Sequence, residues 1–319
     1  MKIQNPHDRF FKETLGKVEV AKDFLNNYLP GNIIKVIDVD TLEPQKDSFI
    51  NKELQEGFSD LLFKANINKR EGYIYFLFEH KSYSSKDIAL QLLRYMVEIW
   101  ETKIKKEKSD KLPVIIPLVV YHGKDRWKIG TTLGEMIVGY KDLPEDIKKF
   151  TPNYEYLLYD LSQFTDDEIK GEAQLRILFT TLRDIFTKDS KSLQDSVFRA
   201  VSYLRELDDK KTGIEYFETL MRYIFNARAD LTRADFNEVV KKIETTYPEG
   251  SEVVMTLAEI FREEGKEEGI LKGMEVGAKQ GKIEVAKNAI REGMELGLIE
   301  KLTGLPKKEI GKIAKEIEN

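Results

Sequence analysis

The sequence predicts a mixed α/β sheet flanked by helices, followed by an all-helical C-terminal region. Runs rich in β-branched and aromatic residues are confined to the front of the chain, before about residue 125. Their order there is helix, three strands, helix, strand, which suits a mixed sheet with helices packed against it. From about Leu161 onward amphipathic helical patterns follow one another and strand signals vanish.

The first helix is expected from Asn5-Pro6 to the stop at Pro30-Gly31. Asn5 is a suitable N-cap, and Pro6 stands where its missing N–H costs nothing. Phe11, Leu15, Val18, Phe24 and Leu25 supply its apolar stripe. Strands are expected over IIKVIDVD (33–40), GFSDLLFKANI (57–67) and YIYFLFEHK (73–81). The last two are separated by Asn68-Lys-Arg-Glu-Gly72, short enough for a hairpin, so they should lie antiparallel and adjacent. Ser84 to Asp87 opens a long helix in which Leu92, Met96 and Ile99 recur at helical spacing, ending in lysines that the helix dipole favours. VIIPLVVYHG (114–123) is apolar almost throughout and reads as a strand covered on both faces, with Pro117 as an irregularity.

Composition sets limits on the chemistry. The 319 residues suffice for two structural units. No run of about 18 apolar residues and no basic, apolar leader occurs, so neither a membrane span nor an export signal is expected and a cytoplasmic setting follows. There is no cysteine, which removes disulfides and thiolate metal sites and leaves carboxylates and three histidines as metal ligands. Any metal should therefore be hard and oxygen-bound. Net charge is −5, but residues 1–130 hold 22 Lys/Arg against 19 Asp/Glu, so the front is mildly basic. That balance permits a nucleic-acid substrate without demanding one.

The apolar strand ending in Glu79-His80-Lys81 carries the candidate chemistry. Glu79 and Lys81 are two apart and leave one face of a strand, while His80 points to the other. Alone, the pair would read as a strand emerging into water. Asp60, however, interrupts the preceding apolar strand, where a lone charge is expensive unless paired or metal-bound. In a hairpin, Asp60 and Glu79 could share a divalent cation such as Mg²⁺, with the His80 backbone carbonyl and waters completing its shell. Lys81 would orient or help deprotonate a water, or stabilise charge on a phosphate. Gln91 and Tyr95, four apart, share one face of the next helix. This set suits phosphodiester hydrolysis. His7, Asp8, Glu13 and His122 are further candidates, the last three with plainer alternatives: Asp8 complementing a helix dipole, Glu13 as an exposed helix residue, His122 as a hydrogen-bonded structural histidine. No G-x-x-x-x-G-K-[ST] loop and no readable Ser/His/Asp order occurs, so ATP-driven work and acyl transfer have no support.

The order Asp60, Glu79-His80-Lys81, Gln91-Leu-Leu-Arg-Tyr95 resembles the PD-(D/E)XK nuclease superfamily and the QxxxY element of its exonuclease-type branch. HDRFFKETL, GFSDLLF, LFEHKS, QLLRYM and VVYHG, followed by a helical tail with EG repeats, are similar to the Rpn family of recombination-promoting nucleases, which also carry a transposase label. The resemblance implies an α/β restriction-endonuclease-like core. It also implies a DNA endonuclease of low sequence specificity, dependent on Mg²⁺ with Mn²⁺ as a substitute, linked to DNA recombination, mobile elements or defence against foreign DNA. Asp60 and Glu79 would hold the metal, Lys81 would act on the water, and Gln91 and Tyr95 would steady substrate and site. Ser59 stands where the superfamily name places proline, a position whose side chain is not a ligand. Two alternatives remain open: a catalytically weak binding or regulatory module acting through its tail, and a transposase that also joins strands.

Three regions are expected: 1–160 nuclease-like, 161–250 helical, and 251–319 containing a glycine repeat and two short helices around Thr303-Gly304-Leu305-Pro306. Those two helices look like a helix-turn-helix without a basic recognition helix. Gly265, Gly269, Gly273, Gly277 and Gly281 recur every fourth residue, each costing roughly 1 kcal/mol of helix propensity relative to alanine. Either they form a stripe permitting close helix approach and a homo-oligomer, or this stretch is a frayed linker. If the stripe is an assembly contact, replacing Gly269, Gly273 and Gly277 with leucine lowers the mass measured by light scattering; an unchanged mass removes that assignment.

Overall fold

The computed structural model describes residues 5–45, 59–79, 86–108, 110–186, 190–207, 210–228 and 280–318, with four isolated positions between 238 and 248. The chain divides into two compact units, residues 2–254 and 255–319. In the first, α1 (Pro6–Leu15) and α2 (Val18–Tyr28) precede β1 (Ile37–Gln45), β2 (Ser59–Ile67) and β3 (Arg70–Glu79). Then come α3 (Ile88–Glu107), β4 (Val114–Tyr121), β5 (Leu157–Asp160), α4 (Ala173–Asp184), α5 (Ser190–Tyr203) and α6 (Lys210–Ala227).

The five strands form one sheet in the order β1-β2-β3-β4-β5. The first three are antiparallel, and β3, β4 and β5 are parallel. The sheet is therefore mixed, as expected, and it is flanked by helices. The β2–β3 hairpin is tighter than the five-residue loop anticipated. Asn68 and Lys69 alone form the turn, both in left-handed backbone with φ of 50° and 62°, the geometry that matches strand twist in two-residue loops. Asn tolerates that conformation because its short polar side chain can bond locally.

Three other expectations need correction. The first helix is two: the chain turns extended at Lys17 (ψ 129°), letting α1 and α2 bury separate faces. Asn5 makes no side-chain cap and sits in left-handed backbone. The strand placed at 33–40 begins only at Ile37, because the amides of Ile33 and Ile34 donate to the Pro30 carbonyl and close a helical turn. β5 was not anticipated at all; four residues are too short for an alternation to stand out. Pro117 is tolerated in β4 because β5 pairs only with Leu118–Tyr121, leaving the preceding stretch without a strand on that side.

Each face of the sheet has its own core. Leu62, Tyr73, Tyr75 and Leu77 pack with Ile88, Leu92, Tyr95 and Ile99 of α3. On the opposite face, Phe24 of α2 meets the rings of Phe76, Tyr159 and Phe179 with centroids 5.3, 5.0 and 5.9 Å away. One side chain thus joins α2, two strands and α4. The helices beyond the sheet are also tied to α1: Phe10 stacks on Tyr223 at 4.5 Å, and Thr14 Oγ1 and the Tyr216 hydroxyl lie 3.0 Å apart.

In the second unit, a helix over 280–291 and the helices Leu296–Thr303 and Lys307–Glu318 enclose Ala286, Ala289, Ile299, Leu305, Ile310 and Ile313. Gly304 ends the first of the pair at φ 67°, a left-handed stop that glycine adopts without strain. The C-terminal region is helical, as expected. Gly265, Gly269, Gly273 and Gly277 lie outside the described residues, and a Cβ at Gly281 would meet nothing within 4 Å. Among the described residues, no helix is long and apolar enough to cross a membrane.

Phe24→Ala removes the shared contact and should cost about 3–5 kcal/mol, the range for truncating a buried aromatic. Urea unfolding should show a lower midpoint with an unchanged slope; a loss below about 1 kcal/mol would mean that the site collapses around the smaller side chain.

Candidate active site

The register fixes where the two proposed metal-binding carboxylates enter. Asp60 is the second residue of β2 and its Cα partner is Leu77; Glu79 is the last residue of β3 and its Cα partner is Tyr121. Side-chain direction alternates along a strand, so position 60 has the parity of Leu62 and position 79 that of Leu77 and Tyr75. Leu62, Tyr75 and Leu77 all pack against α3. Positions 60 and 79 therefore belong to the α3 face, on adjacent strands, at the end of the sheet away from the hairpin turn.

Gln91 and Tyr95 come from that same helix. Tyr95 is fully buried and its ring lies 5.2 Å from that of Tyr75. Gln91 is 7% exposed, and among the described residues its Nε2 has no hydrogen-bond partner. A buried donor left unmade costs about 1–3 kcal/mol, so this amide is an exception to the rule that buried polar groups are satisfied. An orphaned donor facing the sheet suits a site whose acceptor arrives with a ligand. Carboxylates at positions 60 and 79 are hard oxygen donors, and that chemistry fits a divalent cation of the magnesium class. His80 and Lys81 lie outside the described residues, and Asp60 and Glu79 are described in their backbone only.

The remaining candidates resolve into other roles. His122 is buried, and its Nδ1 lies 2.7 Å from the Leu182 carbonyl oxygen. A carbonyl only accepts, so Nδ1 carries the proton and donates. Nε2 of the same ring is 3.1 Å from His7 Nδ1, which in turn is 2.8 Å from the Tyr223 hydroxyl. Burial pushes the Tyr223 phenol well above its ordinary value, so it remains a hydroxyl. Phe186 stacks on His122 at 4.8 Å. This clasp fastens the first turn of α1 to the residue after β4, and it makes His122 the hydrogen-bonded structural histidine. Asp8 occupies the first turn of α1, where a carboxylate complements the helix dipole. Glu13 pairs with Arg9 at 2.6 Å and remains exposed, the plainer of its two readings.

Sequence reasoning missed the segment that follows β4. Lys124, Arg126 and Lys128 are exposed within five residues, while Trp127 between them is buried. The signal is present in the sequence as alternating cations around a tryptophan in GKDRWKIG.

A mixed five-stranded sheet flanked by helices, followed by a helical C-terminal region, is consistent with an α/β nuclease-like core. The family described as "Putative transposase, YhgA-like" matches residues 5–212, and the chain belongs to it. The chain is 29% identical over 307 residues to "Recombination-promoting nuclease RpnA" of Escherichia coli K12, covering 96% of both chains. It is 28% identical over 308 residues to "Inactive recombination-promoting nuclease-like protein RpnE" of the same strain, again covering 96% of each. It is also 29% identical over 257 residues to "Recombination-promoting nuclease RpnD" of Escherichia coli O157:H7, covering 80% of this chain and 93% of that one. No solved structure matches.

Gln91→Leu removes the orphaned amide at similar volume and should stabilise the fold by about 1 kcal/mol in urea unfolding. A destabilisation of that size would mean that the amide is bonded in the folded chain.

Proposed function

We propose that the protein is a metal-dependent DNA endonuclease of low sequence specificity that hydrolyses phosphodiester bonds. The observation that carries this reading is the register: Asp60 and Glu79 fall on adjacent strands, on the face where the buried Gln91 amide has no partner. The names of two relatives as recombination-promoting nucleases support it. DNA recombination, mobile-element movement or defence against foreign DNA is the corresponding setting.

Asp60, Glu79 and the His80 backbone carbonyl would hold Mg²⁺, or Mn²⁺ in its place. When bound, such an ion supplies Lewis-acid polarisation of the phosphate and a water of lowered pKa. Lys81, two residues beyond Glu79 in sequence, would act on the attacking water and offset charge on the phosphate. Gln91 donates its free N–H to a ligand or phosphate oxygen, and Tyr95 packs under Tyr75 to keep the end of β3 in place.

One relative covering nearly the whole chain is named inactive, which favours a second reading as a nuclease-fold binding module. Nicking of supercoiled plasmid separates the two. Wild type should nick with Mg²⁺ or Mn²⁺ and stop with EDTA, and Asp60→Ala and Lys81→Ala should each lose about 100-fold or more, the scale of a lost catalytic group. Equal nicking by all three proteins would place the activity elsewhere; no nicking by wild type would favour the binding module.

A further inference from the structure

We propose that the loop 123–130 is a phosphate-contacting ledge that seats the backbone of duplex DNA across the end of the sheet. This inference rests on the nuclease reading and deepens it by assigning the surface that holds the substrate. The loop starts two residues after Tyr121, the Cα partner of Glu79, so it leaves the sheet beside the candidate carboxylates. Parallel neighbours are about 4.8 Å apart, so the ledge and the end of β3 fall within the reach of a few nucleotides.

The loop is braced from below. The Tyr121 hydroxyl donates to the Asp125 carbonyl at 2.9 Å, and the Trp127 amide donates to Asp160 Oδ2 at 2.8 Å. The Trp127 ring packs edge-on to Tyr121 at 4.9 Å. The Tyr156 hydroxyl donates to the Gly130 carbonyl at 3.0 Å. A Cβ at Gly123 would come within 2.0 Å of the Tyr121 hydroxyl, so this close seat demands glycine. With its backbone and tryptophan held, the loop loses little freedom when it binds.

What it presents is net positive: one exposed carboxylate, Asp125, stands among three cations, and Lys124 Nζ lies 5.9 Å from the Phe186 ring. Lys124, Arg126 and Lys128 are exposed, and among the described residues none is in an ion pair with a carboxylate. Some surface cations elsewhere are paired with a carboxylate, as in Lys64 with Glu43 and Arg222 with Glu218. Lys128 also lines a groove of about 450 Å³ with Lys86 on its far wall, beside the first turn of α3. Glu135 in that groove is itself neutralised by Lys141 at 3.4 Å. The positive end of the α3 dipole adds to the same field. An evenly spaced polyanion matches this row of cations, and nucleic-acid backbone is the polyanion that a phosphodiesterase site must seat.

The test measures anisotropy of a labelled DNA duplex with the full chain in EDTA, across a salt series, so that no cleavage intervenes. Each phosphate contact contributes roughly 0.9 to the slope of log K against log salt. Lys124→Gln/Arg126→Gln/Lys128→Gln should lower that slope by roughly 2 to 3. Lys69→Asn/Arg70→Gln/Lys108→Asn, an equal loss of charge at the opposite end of the sheet, should leave it unchanged. Absence of duplex binding by wild type, an unchanged slope in the loop variant, or an equal fall in the control would overturn the ledge. If Asp60→Ala nicks plasmid like wild type, the metal-site reading fails while the slope comparison still decides the ledge.

Discussion

Burial of β3 on both faces is the constraint from which the larger unit follows. Tyr73, Ile74, Tyr75, Phe76 and Leu77 are all at most 1% exposed. Five consecutive covered side chains require a layer on each side, and each large apolar side chain contributes about 1.5–3 kcal/mol when removed from water. One layer is α3, the other is α2 with α4. The central place of β3 in the sheet order follows from the same demand, because an edge strand could not be covered in this way.

That constraint also fixes the register of the candidate carboxylate positions. A strand locked on both faces cannot slip by one residue without sending Tyr73, Tyr75 and Leu77 to the wrong layer. Glu79 therefore leaves the core at a fixed place, and the tight Asn68-Lys69 turn sets Asp60 opposite Leu77. Gln91 is one local exception: a buried amide on α3 whose Nε2 has no partner among the described residues. Violations of this kind are retained where function needs them, since an apolar side chain there would be more stable. The histidine clasp serves the same end differently, fastening α1 to the residue after β4.

Much of this was legible because it rests on local pattern. Six consecutive strand formers announced β3, the helical spacing of Leu92, Met96 and Ile99 announced α3, and period two predicted that Glu79 shares the strand face of its i−2 neighbours. The failures have identifiable causes. The break at Gly16-Lys17 has a local cause that the apolar stripe masks: Gly16 caps α1 so closely on the Lys12 carbonyl that a Cβ there would lie 2.4 Å from it. β5 is a four-residue strand stabilised by its neighbour β4 rather than by its own sequence. Asn5 had the right side chain for a cap and the wrong backbone to use it.

The sequence by itself determined the fold class, the antiparallel pairing of β2 with β3, the helical character of the C-terminal region and the identity of the candidate carboxylates. Each depends on interactions within a few residues or across one short turn. Only the tertiary structure decided that His7, His122 and Tyr223 meet, because they lie 115 and 216 residues apart in the pairs that join them. The same holds for the orphaned Gln91 amide and for the braced cations after β4. Burial, partnership and unpaired charge are properties of what surrounds a residue, and distant segments supply those surroundings only when the chain has folded.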